Sequence, residues 1–367
     1  MMKTRYLVLE DGTVFKGEAF GSEKATIGET VFTTGMTGYQ EAISNPSGYG
    51  QIVVMTYPMI GNTGINRDDY ESIELAINGI VVREYSDEPS NFRSAMTLGD
   101  LLKLKGIPGI QGIDTRKLTR LLREKGPLKG KLTAAGEELD ASLAIGEAKA
   151  YEIPVNQVAS ISTKKPYSSP GQGKRVVVID FGLKHGLLRE LNKRDFDVIV
   201  VPYNTSTEAI LSLVPDGILL SNGPGNPEDV EGAADTIKHL IGNAPIFGIG
   251  LGHQLLAMSY GAKIQKMKNG HSGGNYPVKD LTTGRTELTS QSHSYVLEES
   301  SIASTPLTVT HRALNDGTIE GICHETDRVF SVQFHPEASP GPHDASHLFD
   351  RFDNVMNAST RKENFNA

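Results

Sequence analysis

Two regimes of hydrophobic patterning divide the chain. In the first, short apolar stretches alternate with polar residues and are broken often by turns. YLVLEDGTVFKGEAF alternates about Asp11-Gly12, a dipeptide that suits the tight turn of a β-hairpin. TLGDLLKLKGIPG predicts a helix capped by Thr97, with Asp100 three residues later and Gly106 and Pro108 closing it. DTRKLTRLLREKG predicts another, with Leu118, Leu121 and Leu122 on one face and a cationic, solvated face opposite. Over 158–174, VASISTKKPYSSPGQGK, the periodicity disappears, and Ser, Pro, Gly and Lys give the composition of a linker.

Beyond residue 174 the pattern changes. RVVVIDFG is a continuous β-branched run and LKHGLLRELNKR a helical one; FDVIVVPY, STEAILSLV, DGILLSNGPG, DTIKHLIG, PIFGIG and HQLLAMSYG continue the alternation. That rhythm predicts an α/β fold with a mostly parallel sheet flanked by helices, preceded by a separate mixed α/β domain. The organisation expected is an N-terminal domain over 1–157, a linker over 158–174, an α/β domain over 175–360 and a polar tail over 361–367.

Composition narrows the function. With 38% hydrophobic and 22% charged residues over 367, the chain is neither disordered nor fibrous. A formal charge of −8 argues against general affinity for nucleic acid or an anionic membrane. No apolar run is long enough to cross a bilayer, and MMKTRYLVLEDGTVF goes straight into strand-like alternation, not a secretory signal. A cytoplasmic protein is expected. The single cysteine, Cys323, excludes an internal disulfide and a cysteine-rich zinc site, and no metal ligand is assigned from sequence.

Three sets of residues carry candidate chemistry. In GIGLGHQ (248–254) a strand turns sharply into a helix, as in a dinucleotide site, a nucleophile elbow or a plain tight turn. Its glycines, at 248, 250 and 252, lack the G-x-G-x-x-G spacing, and Ser272 stands about where a ribose-binding acid is expected, so the dinucleotide reading ranks low. In SVQFHPEASPGPHD, His335 and Glu337 follow a strand with Pro336 between them. Two apart on an extended segment, they point the same way, as a base and its orienting carboxylate do. In SNGPG (221–225), Gly223 and Gly225 leave backbone N–H groups to face an oxyanion or carboxylate. Each set alone also reads as an ordinary turn. Together they describe an acyl-transfer site.

The order SNGPG, G-I-x-L-G-H-Q, H-P-E resembles the class I glutamine amidotransferases. GHSGGNYPVKD (270–280), TSQSHSYVL (289–297) and HPEASPGPHDA (335–345) narrow the resemblance to the small subunit of carbamoyl phosphate synthase. TGMTGYQEAISNPSGYGQIVVMTYPMIGNTGIN (34–66) and GIDTRKLTRLLREKG (112–126) match that subunit's N-terminal domain. The resemblance implies hydrolysis of L-glutamine to supply ammonia to a large subunit that binds ATP and Mg, for arginine and pyrimidine synthesis. It implies no cofactor in this chain, and a heterodimer able to assemble further. His335 is then the general base and Glu337 its orienting carboxylate. Glutamine is held by Ser47, Gly223, Gly225, Leu251, Gln254, Ser292, Ser294 and Tyr295. The family's third contact strip reads Asn-His-Gly or Asn-His-Ser before an aromatic; here Ser292 shortens any contact an Asn side chain would make.

One departure is larger. The resemblance puts the nucleophilic cysteine at Gly250, which has no side chain. Glutaminase activity is therefore expected to be lost or severely reduced. The alternative is a non-catalytic subunit that binds glutamine or docks to regulate an ammonia-dependent partner. Cys323 sits in strand-like TIEGICHETDRVF and reads as a buried small hydrophobe, not a displaced nucleophile. His253 matches an ordinary helix residue of the family. Glycine tolerates the positive φ of an elbow, so the turn is expected to survive the loss.

Overall fold

The computed structural model of the chain describes residues 3–365. It divides into two compact units, Met1–Pro154 and Val155–Ala367. The first contains, in chain order, strands β1 (Thr4–Leu9), β2 (Val14–Gly21) and β3 (Thr26–Thr33), then helix α1 (Tyr39–Ser44). Strands β4 (Gln51–Met55), β5 (Met59–Ile60), β6 (Gly79–Val81) and β7 (Glu84–Tyr85) precede α2 (Leu98–Leu104). Next come β8 (Pro108–Gln111), α3 (Thr115–Lys125), β9 (Leu128–Leu132) and α4 (Ala141–Ala150).

Local signals produced several of these elements. The Asp11-Gly12 hairpin joins β1 to β2 in an antiparallel register that pairs Val8 with Val14, and Gly12 takes φ 92°. Thr97 caps α2 by accepting from the Asp100 N–H. Leu118 and Leu122 bury one face of α3, with Leu121 packed beside them. What local pattern did not show is closure. The strands form a barrel in the order β1-β2-β8-β6-β4-β3-β9, with β9 returning to β1. Arg5 lies wholly buried, with its guanidinium donating to the carbonyls of Thr133, Gly109 and Ser22 at 2.8–2.9 Å. Burial lowers its pKa to about 10.

The second unit contains α5 (Gln157–Ile161), β10 (Tyr167–Ser169), β11 (Arg175–Asp180), α6 (His185–Lys193), β12 (Asp197–Pro202), α7 (Thr207–Ser212) and β13 (Gly217–Leu220). It continues with α8 (Ala233–Leu240), β14 (Ile246–Ile249), α9 (Leu251–Ser259), β15 (Ile264–Asp280), β16 (Thr286–Leu297) and α10 (Glu299–Ile302). Strands β17 (Thr308–Ala313), β18 (Ile319–His324) and β19 (Val329–Val332) and helix α11 (His347–Phe365) complete it. One sheet runs β10-β12-β11-β13-β14-β19-β18-β17-β15-β16, parallel from β12 through β19. Alternate residues of β11 feed two cores. Val176 and Val178 pack with Leu187, Leu191, Phe349 and Phe352, while Val177 and Ile179 pack with Ile210, Ile237 and Leu255. Helices therefore cover both faces, as the continuous apolar strands predict.

Two boundaries differ from expectation. The stretch 158–174 is not a free linker: it carries most of α5 and all of β10, which pairs antiparallel with β12 at the sheet edge. A three-residue polar edge strand has no periodicity to reveal it. The expected polar tail, 361–367, starts inside α11, and residues 366 and 367 lie outside the described residues. Cys323 is buried in β18 against the Phe330 and Phe349 core, and burial pushes its thiol pKa up. Among the described residues no helix is long and apolar enough to cross a membrane.

Candidate functional site

Because β11 lies between β12 and β13, chain direction across the sheet reverses there, leaving a crevice at the carboxyl ends of the strands. Four segments leave the sheet at that end: 181–184 after β11, 221–225 after β13, Gly250 after β14, and 333–337 after β19.

The β14–α9 turn uses its three glycines for different reasons. A Cβ on Gly248 would lie 2.8 Å from the Gly252 carbonyl oxygen, and one on Gly252 would lie 2.4 Å from the Leu220 carbonyl oxygen, so strand and helix approach backbone to backbone. Gly250 adopts φ 59°, ψ −112°, a strained conformation for a residue with a side chain. Its N–H donates to the Val332 carbonyl at 2.9 Å, tying the apex to the end of β19, from which the chain continues to His335. A Cβ here would meet Asn222 Cβ at 3.3 Å, a tight but tolerable contact. Leu251 opens α9, so its N–H has no acceptor within the helix.

His335 and Glu337 do come together, with Nδ1 2.9 Å from Oε1, both buried. The expected route was an extended segment; the observed one is a turn. His335 is bridged to Ser290 on β16, its N–H donating to the Ser290 carbonyl at 2.8 Å. The Ala338 N–H then closes back on the His335 carbonyl at 3.1 Å, so Pro336 and Glu337 form the bend. The carboxylate thus reaches its imidazole by reversing the chain.

Lys184 was not anticipated. Its Nζ, fully buried, donates to Glu337 Oε1 at 2.8 Å and to the Ala338 carbonyl at 2.7 Å. Burial alone would raise the Glu337 carboxyl; the Lys184 and His335 charges and their hydrogen bonds outweigh it and hold the pKa at about 2. Glu337 is therefore ionised throughout the pH range in which an ordinary imidazole exchanges its proton. A single lysine ahead of a helix carries no signal in a lone sequence, which is why it was missed.

The expected glutamine contacts fall as follows. Gly223 has no room for a side chain, since a Cβ would sit 2.3 Å from the Phe181 carbonyl oxygen and 2.8 Å from Leu251 Cδ2, and Gly225 takes φ 84°. Gln254 lies buried on α9 and donates through Nε2 to the Tyr295 carbonyl at 2.8 Å and to Gln333 Oε1 at 2.9 Å. That fastens the helix to the strip carrying Ser292, Ser294 and Tyr295 on β16. Ser292 and Ser294 share one side of the strand, Gln291, His293 and Tyr295 the other. Ser47 belongs to the first unit, in a buried single turn over Pro46–Gly48 where its N–H donates to Asn45 Oδ1. His253 is buried with Nδ1 2.9 Å from Ser331 Oγ, and burial lowers its pKa to about 3.

Geometry of this kind, a strand-to-helix apex beside a buried base held by a carboxylate, fits acyl transfer. The profile of the family "Glutamine amidotransferase class-I" matches residues 177–355, and that of "Carbamoyl-phosphate synthase small chain, CPSase domain" matches residues 7–132. The chain is 58% identical over 359 residues to the carbamoyl phosphate synthase pyrimidine-specific small chain of Bacillus subtilis (strain 168), covering 98% of this chain and 97% of that one. It is 57% identical to the carbamoyl phosphate synthase small chain of Bacillus caldolyticus, covering 95% of each. It is 54% identical to that of Listeria innocua, covering 99% of each. With both halves matched in order and nearly the whole length aligned, the chain belongs to the family of carbamoyl phosphate synthase small chains.

Proposed function

We propose that this chain is the amidotransferase subunit of a carbamoyl phosphate synthase, that it binds L-glutamine, and that it does not hydrolyse it at a useful rate. In the family's chemistry a thiolate attacks the glutamine amide carbon, ammonia leaves with a proton from the histidine, and water cleaves the thioester to glutamate. His335 and Glu337 are the base and its orienting carboxylate in this reading, with Lys184 positioning Glu337. The glutamine contacts are Ser47, Gly223, Gly225, Leu251, Gln254, Ser292, Ser294 and Tyr295. Gly250 stands at the nucleophile position of this set. That glycine at φ 59°, where the nucleophile is expected, is the observation that carries the proposal.

Loss of the nucleophile from such a set costs on the order of a millionfold in turnover while the remaining groups stay in place. The partner is a large synthetase subunit holding ATP and Mg, in a cytoplasmic heterodimer able to assemble further. Two relatives carry pyrimidine-specific names, which favours pyrimidine over arginine synthesis as the destination.

The test is glutamate release by the chain reconstituted with a large subunit, alongside its Gly250→Cys variant, with ammonium as the alternative nitrogen donor. The expected result is normal synthesis from ammonium, almost none from glutamine, and recovery in the variant. Comparable rates from both donors in the unaltered chain overturn the reading. A second reading, regulation by docking alone, is separated by titrating glutamine into the chain: no binding leaves docking as the function.

A further inference from the structure

On the side of β16 facing away from Ser292 and Ser294, His293 stands directly opposite His271 of β15. Their rings are 5.0 Å apart at 75°, and the buried Glu320 of β18 lies beneath them. One nitrogen or oxygen from each of His271, His293 and Glu320 falls within 4.8 Å of the others.

The hydrogen bonding around these two rings does not balance. His271 has Nδ1 2.5 Å from Gln291 Oε1 and Nε2 2.9 Å from Asp316 Oδ2. His293 has Nδ1 3.0 Å from the Tyr295 carbonyl and Nε2 3.0 Å from the same Gln291 Oε1. All four ring nitrogens therefore face acceptors, and a neutral imidazole carries only one N–H. Reversing the Gln291 amide would let its nitrogen donate to both rings, but its oxygen would then face Glu320 Oε2 and Thr289 Oγ1, to which the nitrogen now donates at 3.1 and 3.2 Å, and Glu320 would have to take up a proton. With the amide as it stands the cluster is short of two positive charges, and the carboxyl groups of Asp316 and Glu320 stand against the same two rings.

The outer partners show where the deficit lies. Asp316 and the Tyr295 carbonyl each take a ring N–H from outside, the carboxylate–histidine and carbonyl–histidine arrangement that orients metal-ligating imidazoles. His271 Nδ1 and His293 Nε2 then turn their lone pairs inward, toward Gln291 Oε1 and toward Glu320 Oε1 at 3.5 and 3.9 Å. Tetrahedral zinc with bonds of about 2.0–2.1 Å needs ligand atoms about 3.3 Å apart. The spacings to Glu320 close to that with small side-chain movements. The Gln291 oxygen, now between the rings, draws back to become a fourth ligand.

We propose that His271, His293, Glu320 and Gln291 bind a divalent cation of the zinc class, with Asp316 and the Tyr295 carbonyl orienting the two imidazoles. One dication supplies both missing charges and neutralises the two carboxylates. Imidazole and carboxylate oxygen donors favour zinc over magnesium or calcium. The ion pins β15 to β16 behind the strip that carries Ser292 and Ser294, and so stiffens it. Nothing in this depends on the residue at position 250.

The test is zinc titration of the chelator-stripped full-length chain against a chromophoric chelator, with cobalt as a spectroscopic substitute. One zinc per chain and the intense visible bands of tetrahedral cobalt are expected. His271→Gln removes the site. Asp316→Asn, half-exposed and outside the ligand shell, keeps the fold and weakens affinity about tenfold to a hundredfold. Absence of stoichiometric zinc in the unaltered chain, a weak octahedral cobalt spectrum, or equal affinity in Asp316→Asn overturns the proposal.

Discussion

Lys184 Nζ and His335 Nδ1 converge on one oxygen of Glu337, at 2.8 and 2.9 Å. The imidazole is thus held by a carboxylate that is itself held by a buried cation from a different strand end. Lys184→Met leaves the Glu337 charge with half its support. Breaking a buried pair this way costs about 3–5 kcal/mol. Denaturant unfolding should show that loss, and Lys184→Met with Glu337→Gln should cost well under the sum of the two single changes.

Gly250→Cys and Gly250→Ala should both fold. Positive φ costs a side-chain-bearing residue about 1–3 kcal/mol, and the nearest obstacle to a Cβ is Asn222 Cβ at 3.3 Å. Equal shifts in unfolding midpoint, with glutamate release only from the cysteine variant, are the expected pair of results.

Gly252→Ala should be worse than Gly250→Ala although Gly250 has the unusual dihedral angles. Its Cβ would meet the Leu220 carbonyl oxygen at 2.4 Å, and neither backbone can yield without moving β13 or α9. Overpacking of this kind costs about 1–3 kcal/mol and occasionally more. The order of the two unfolding midpoints checks it.

Two buried histidines set an acid limit. Burial lowers His253 to about 3 and His311 to about 4. Each binds a proton more readily when unfolded, so each contributes stability that is present above the ordinary histidine pKa and lost as pH falls toward those values. Between pH 8 and pH 5 the loss is about 2 kcal/mol for each ring. Glu337, held at about 2, adds a further loss from about pH 4.3 downward. Unfolding free energies measured across pH 4–8 should slope accordingly, and His253→Leu should flatten part of the slope.

Arg5 should not be replaceable by lysine. Its planar fork serves carbonyls from Thr133, Gly109 and Ser22 at once, joining segments around the barrel. An ammonium in its place cannot reach all three, and each buried carbonyl left unpaired costs about 1–3 kcal/mol. Loss of the first unit's unfolding transition at ordinary temperature in Arg5→Lys is the expected outcome.

What could be read from sequence was what short windows determine. The Asp11-Gly12 hairpin, the Thr97 cap and the strand–helix rhythm after residue 174 each depend on neighbours in the chain. His335 and Glu337 were found from spacing, although the turn at Pro336, not an extended segment, joins them. Barrel closure, the β10 edge strand, the Lys184 charge under Glu337 and the His271–His293 pairing depend on segments far apart in sequence. Lys184 and Glu337 are 153 residues apart, and no local pattern couples them.

The turn around Gly250 is shaped without reference to any side chain at that position. Its apex is fixed by a main-chain bond to Val332, and its flanks by the crowding at Gly248 and Gly252. Pressure to fold therefore favours glycine there, by the roughly 1–3 kcal/mol that positive φ costs any residue with a side chain. Only pressure to use glutamine can keep a cysteine at position 250, and a lineage fed by ammonia would lose it without any structural scar.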